Sequence, residues 1–140
     1  MDESLAEEVR DRASSACEYC KLPAVVYSEP FEIEHILPKQ HGGRTVSGNL
    51  AYSCLHCNRH KGSNLAGIDR LTSPTKLVRL FHPRRHKWDR HFRWDGPYLV
   101  GRTPIGRVTV AVLNMNDLTR VELRAALISE GELPPAAGGT

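Results

Sequence analysis

The sequence predicts a small α+β fold built around a metal centre, and three observations predict it. Short helix-like and strand-like segments alternate along 140 residues, four cysteines fall in two pairs of identical spacing, and a basic middle separates two acidic ends. That length suits one ordinary domain, or a small motif with an extension. With 40% hydrophobic and 25% charged residues the chain has an average globular composition, which argues against disorder away from its ends. No run of about 18 apolar residues occurs and the opening MDESLAEEVRDR is acidic and polar, so the sequence predicts neither a membrane helix nor a secretory signal, and a cytoplasmic protein.

The elements follow in order. Leu5, Val9 and Ala13 lie four apart, with acids early and Arg10 and Arg12 later, which predicts an opening amphipathic helix over Glu3 to Ala16. Val25 to Tyr27 and Phe31 to Ile36 are β-prone runs around Pro30 and predict a small hairpin ending at Pro38. Gly42, Gly43 and Gly48 mark a loop. Asn49 then precedes Leu50, Ala51, Tyr52 and Leu55 as a helix entry, with the helix running through Cys54 to Lys61. Ser73 and Pro74 predict the start of a helix carrying Leu77, Leu80 and Phe81. Phe92 to Trp94, Tyr98 to Val100 and Val108 to Leu113 predict strands of a β-meander, with turns at Asp95-Gly96 and around Pro104 to Gly106. A last helix from about Asp117 to Ser129 would place Leu118, Val121, Ala125 and Ile128 on one face and end at Gly131, Pro134 and Pro135.

Charge is unevenly distributed. Met1 to Glu34 carries 9 acidic residues against 3 basic; His35 to Val110 carries 14 basic residues against Asp69, Asp89 and Asp95. A block of net charge +11 suits a phosphate backbone, because each neutralised phosphate releases condensed counterions. A solvated basic face is the competing explanation. Within the block, LFHPRRHKWDRHFRW interleaves basic and aromatic side chains, as a nucleic-acid groove would. The rings are assigned to the core of the meander, with the arginines along its outside.

The cysteine pairs, Cys17-Glu-Tyr-Cys20 and Cys54-Leu-His-Cys57, leave no cysteine over. Two thiolates three positions apart in a tight turn converge on one ion, and two such turns complete a closed tetrahedral Zn²⁺ site that holds a fold without open positions for chemistry. Disulfides are the alternative, which a cytosolic chain disfavours. The long gap between the pairs holds a functional insert: Glu34-His35-Ile-Leu-Pro38, the glycine loop, Asn49-Leu50 and then Cys57-Asn58-Arg59-His60-Lys61.

Taken together these strings resemble the HNH endonucleases, closely from Cys17 to about Ser63. The resemblance implies a ββα-metal core with two CxxC zinc knuckles, preceded by a short helix and followed by the meander and last helix. It implies that His35 is the general base, that Glu34 and Asn58 hold a catalytic divalent ion, and that Asn49 holds the loop and helps orient the base. Oxygen ligands suit Mg²⁺ or Mn²⁺. A neutral histidine can take a proton from water, as phosphodiester hydrolysis requires. Adjacent residues on a strand point to opposite faces unless the strand ends there, and Pro38 makes an ending beyond His35 plausible. Where the family often has a histidine this chain has Asn58, with His60 as a rival ligand. Arg59 and Lys61, by charge and position, and Arg84 and Arg85, within the basic block, are expected to contact nucleic acid. The basic and aromatic stretch and the following GPYLVGRTPIGRVTVAVLN resemble an extension of some free-standing bacterial members.

These residues predict a nuclease core with its helix over residues 1–66, an extension packed on it over 67–131 and a flexible tail over 132–140. DNA is the expected partner, with a homodimer as one route to a double-strand cut. A non-catalytic zinc module that binds nucleic acid is the alternative function, and an adaptor for an acidic protein a third.

Overall fold

The computed structural model describes residues 1–133. Helix α1 (Glu3–Arg12) starts where the sequence places it: the Asp2 carboxylate accepts the Leu5 N–H at 2.7 Å, and Arg10 and Arg12 close the last turn. Its buried residue Val9 packs on Leu50 and Tyr52, and the Arg12 guanidinium donates to the carbonyls of Ser47 and Leu50 at 2.7 and 2.6 Å. The helix is thereby fastened to the strand that leads into the second cysteine pair.

Strands β1 (Glu32–His35) and β2 (Leu50–Ser53) pair antiparallel, Glu34 opposite Ala51 and His35 opposite Leu50. Helix α2 (Leu55–Lys61) follows at once, completing a ββα unit. Two expectations change here. Ala24–Val26 is a turn of 3-10 helix, so β1 takes no partner from Val25 to Tyr27. Pro23 and Pro30 flank that run and offer no N–H to a ladder. Leu50 to Tyr52 is strand, not the first turn of the helix: all four residues of β2 are buried, and its outer edge is covered by the first knuckle. There the Glu18 N–H donates to the Tyr52 carbonyl and Glu18 Oε2 accepts the Tyr52 N–H, both at 2.9 Å. A short apolar run buried on all sides has no periodicity that separates strand from helix.

Beyond α2, β3 (Ala66–Ile68) pairs with β4 (Leu77–Arg79), so the helix expected from Ser73 does not form. Leu80 N–H extends this pairing to the Leu65 carbonyl at 3.1 Å, and Phe81 N–H donates to the Thr109 hydroxyl at 2.9 Å, so tertiary bonds claim the would-be helical segment. The short helix α3 (Trp88–His91) leads into β5 (Phe92–Asp95) and β6 (Tyr98–Gly101), joined through Gly96 in a left-handed conformation.

Val108 to Leu113 is not a third strand of a meander. Helix α4 (Pro104–Val112) covers nearly all of it, capped by Thr103, whose hydroxyl accepts the Gly106 N–H at 3.1 Å, with Pro104 opening the first turn. The β-branched residues mislead because tertiary packing outweighs propensity. Val108 and Thr109 are buried, and the helix lies so close to α3 and β6 that a Cβ on Gly106 would stand 1.9 Å from the His91 carbonyl oxygen. Helix α5 (Leu118–Ser129) begins and ends close to the expected bounds, capped by the Asp117 carboxylate, which accepts the Thr119 N–H, and stopping before Gly131, which is left-handed. Pro134 and Pro135 lie outside the described residues. Its buried face is rotated from the expected one: Arg120, Val121, Arg124 and Leu127 point inward while Leu118 is 70% exposed. One apolar core, containing Leu22, Ile36 and Ala51 from the ββα region and Phe81, Phe92 and Leu113 from beyond it, joins the two halves. Of the rings, Phe81 and Phe92 are core residues as expected, while Trp88 and Trp94 are half-buried against that core, Trp88 packed on Phe92 and Trp94.

Candidate active site and zinc centre

Each cysteine pair sits where a loop turns into another element. Cys54 caps α2, its sulfur accepting the Cys57 N–H at 3.4 Å, and Cys17 Sγ accepts the Cys20 N–H at 3.5 Å. The four sulfurs lie within 4.8 Å of one another, with Cys20 and Cys54 3.8 Å apart, and none forms a disulfide. Four thiolates about 2.3 Å from a central Zn²⁺ stand about 3.8 Å apart, so the cluster fits zinc by size. It fits by charge as well. Arg120 donates to Cys54 Sγ at 3.6 Å, and Arg124 is only 2% exposed on the next turn of the same helix face. Buried guanidiniums need a counter-charge, and a tetrathiolate zinc is dianionic.

Between the knuckles, β1 carries Glu34 inward and His35 outward. Glu34 is 7% exposed: one carboxylate oxygen accepts the Tyr19 hydroxyl and the other the Lys61 ammonium at 3.1 Å. Burial raises the Glu34 pKa against the pull of Lys61. Burial and the same carboxylate hold the Tyr19 hydroxyl well above its ordinary range, so it stays protonated and donates. Lys61, expected to reach phosphate, does not face solvent. It is 2% exposed, and its remaining bonds run to the carbonyls of His35 and Ile36 at 3.4 and 3.0 Å. A lysine buried to that extent is tolerable only with such a set of acceptors.

His35 closes β1. Its Nε2 lies 2.8 Å from the Thr45 hydroxyl, and its Nδ1 has no hydrogen-bond partner among the described residues. Partial burial, then the charges of Lys39 and Lys61, hold its pKa below the usual histidine value. The loop carrying Thr45 is tied to β1 by Asn49, whose amide oxygen accepts the Leu37 N–H at 2.8 Å and whose amide nitrogen donates to the carbonyls of Leu37 and Arg44. At Gly43 the chain passes so close to Leu37 that an added Cβ would overlap its carbonyl oxygen at 1.7 Å.

On α2, Asn58 and Lys61 are one turn apart and share a face. The Asn58 side chain is half-buried and makes no hydrogen bond among the described residues. His60 is turned elsewhere: its Nδ1 donates to the His56 carbonyl at 2.9 Å and its ring stacks near that of His56, on the side facing Asn114. For a divalent ion, Glu34 and Asn58 offer the hard oxygen donors Mg²⁺ or Mn²⁺ requires, and a carboxylate with two occupied lone pairs retains others. Arg59 is exposed. Arg84, expected on phosphate, pairs instead with Glu18, leaving its buried Nη1 without a partner among the described residues, while Arg85 remains exposed.

The residues between the cysteines escaped sequence reasoning. Glu18 and Tyr19 link knuckle, strand, Glu34 and extension, and Tyr19 O also accepts the Trp88 indole N–H at 2.8 Å. A glutamate and a tyrosine inside a metal turn were the available signal. Arg120 and Arg124 could be found only by helical spacing: Arg124 lies three residues from both buried Val121 and buried Leu127, and Arg120 four residues before Arg124.

Residues 17–64 match the HNH endonuclease family model. Over 120 residues, 84% of this chain, the protein is 29% identical to the Septu protein PtuB of Bacillus thuringiensis, covering 43% of that protein. Over 93 residues, 59% of this chain, it is 36% identical to the Septu protein PtuA of Bacillus mycoides strain KBAB4, covering 13% of it. The chain thus spans less than half the length of either relative. No solved structure matches it significantly. Among the described residues no helix is long and apolar enough to cross a membrane.

Proposed function

We propose that the protein, whose residues 17–64 match the HNH endonuclease family model, hydrolyses DNA phosphodiester bonds with His35 as general base, over a nuclease core of residues 1–66 and an extension of 67–131. The observation that carries this is His35 itself. It stands at a strand end with one ring nitrogen engaged by Thr45, from the loop that Asn49 immobilises, and the other without a partner among the described residues. A histidine held below its usual pKa is neutral near pH 7, and the nitrogen without a partner can receive a proton from an attacking water. Glu34 and Asn58 would hold a Mg²⁺ or Mn²⁺ ion, which when bound neutralises charge on the phosphate. Asn49 fixes the direction of the base, and Tyr19 with Lys61 fixes the carboxylate.

Incubating supercoiled plasmid with the purified protein and Mg²⁺ or Mn²⁺ tests the proposal. Nicking is expected, falling about a hundred- to ten-thousand-fold in His35→Ala. One observation favours the alternative of a zinc module that binds nucleic acid without cutting: the Lys61 ammonium already serves as a cation on Glu34. Salt-sensitive DNA binding with no nicking, unchanged in His35→Ala, would establish that alternative.

A further inference from the structure

A cavity of about 450 Å³ opens just past the catalytic strand, beginning at Ile36 and Leu37. A second, of about 350 Å³, adjoins it, and Arg79, His82 and Arg85 line both. The walls come from both halves of the molecule: Leu37, Arg44 and Val46 from the loop that Asn49 pins, Arg79 from β4, and Arg85 from the segment before α3.

Two properties of this trough point the same way. Neither cavity is lined by an aspartate or glutamate, and Arg44, Arg79 and Arg85 make no ion pair among the described residues, so three guanidiniums face one space without a counter-charge. Such a field recruits a polyanion. The walls between the arginines are mostly apolar, with Leu37, Val46, Leu65 and Phe81 among them. A duplex presents sugars and phosphates and keeps its base faces stacked inside, which would leave those walls wet. An unpaired strand offers a base face to an apolar wall and a phosphate to an arginine at the same time. His82 adds a ring without charge: burial, then Arg85, His86 and Arg79, push it down to about 4.

We propose that this trough binds a single unpaired nucleic-acid strand, bases on the apolar wall and phosphates on Arg44, Arg79 and Arg85, and leads it to the end of β1. The proposal rests on the nuclease function for its purpose and on the trough alone for its binding.

Fluorescence anisotropy on the His35→Ala protein, with a labelled oligothymidylate of about a dozen nucleotides and a duplex of equal length, tests it. The single strand should bind more tightly than the duplex. Arg79→Glu with Arg85→Glu should weaken single-strand binding by about tenfold or more and flatten its salt dependence by a slope of about 1.4. Arg70→Glu with Arg90→Glu makes the same change in net charge away from the trough and should do far less. Equal losses in the two pairs, or duplex bound as tightly as single strand, would overturn the trough. Plasmid nicking keeps the two claims apart. A protein that nicks with an unchanged KM after Arg79→Glu and Arg85→Glu retains the nuclease function and loses the trough. One that never nicks but shows the predicted binding pattern retains the trough and loses the nuclease.

Discussion

The segment from Cys17 to Asn64 and the extension behind it are held together by opposite means. The first has four-residue strands and a seven-residue helix, and its centre is filled by four thiols and a buried Tyr19–Glu34–Lys61 network. The second buries Phe81, Phe92, Leu99, Val108 and Leu113 under two longer helices, as an ordinary globular protein does. The contrast shows where rigidity is needed. The region that carries His35 is fixed by directional bonds, as the proposed site would need, while the apolar extension supplies bulk and a wall.

Zinc should dominate the first region. Chelation, or Cys54→Ser, is expected to remove one bound zinc per chain and unfold the ββα unit, since structural zinc contributes on the order of 10 kcal/mol or more to folding of such domains. Metal analysis with circular dichroism reads both. Because the two regions share one core, a single cooperative loss is expected; an extension that keeps its helical signal after chelation would make the regions independent.

A pair of substitutions of similar size separates directional from apolar support. Lys61→Met should cost about 3–5 kcal/mol by leaving Glu34 buried without its cation, and Phe92→Ala about 3–5 kcal/mol by opening a cavity. Adding Glu34→Gln to Lys61→Met should recover much of the first loss in denaturant titrations. No polar partner change should rescue the second.

Arg120→Ala tests whether the extension stabilises the zinc charge. It should weaken zinc by about ten- to a hundredfold in competition with a chromogenic chelator. The smallest effect is expected at the edge of the extension. Arg107 donates to both oxygens of Asp69 and holds its pKa down to about 2. A carboxylate depressed in the folded state stabilises fully above its unfolded pKa, near 4, and that contribution is lost as pH falls toward 2. Arg107→Ala should therefore flatten the pH dependence of stability over that interval.

The four-cysteine cluster is legible in the sequence because its logic is local and depends on spacing along the chain, whereas His35 and Asn49 stand out only through the family resemblance. What was not legible depends on partners distant in sequence. Leu50 to Ser53 is a strand because Glu18 and β1 flank it, and Thr103-Pro104 opens a helix whose β-branched residues pack where a strand was expected. The face of α5 is not legible because apolar periodicity cannot anticipate arginines turned inward onto distant partners, Arg120 onto Cys54 and Arg124 onto Pro97 and Asn116. Charge and position along the chain point Lys61 and Arg84 toward nucleic acid, whereas Glu34 and Glu18, both from the acidic first part of the chain, claim them.

The two residues enclosed by Cys17 and Cys20 also set a limit on exchangeability. Another knuckle with the same spacing could be grafted at this position, chelate, and keep the backbone bonds to the Tyr52 carbonyl and from the Trp88 indole, yet it would lose the Glu18 carboxylate on the Tyr52 N–H and the Tyr19 hydroxyl on Glu34. Metal content and catalytic competence would then part company in such a chimera, and a protein fully loaded with zinc could be as inactive as one with none.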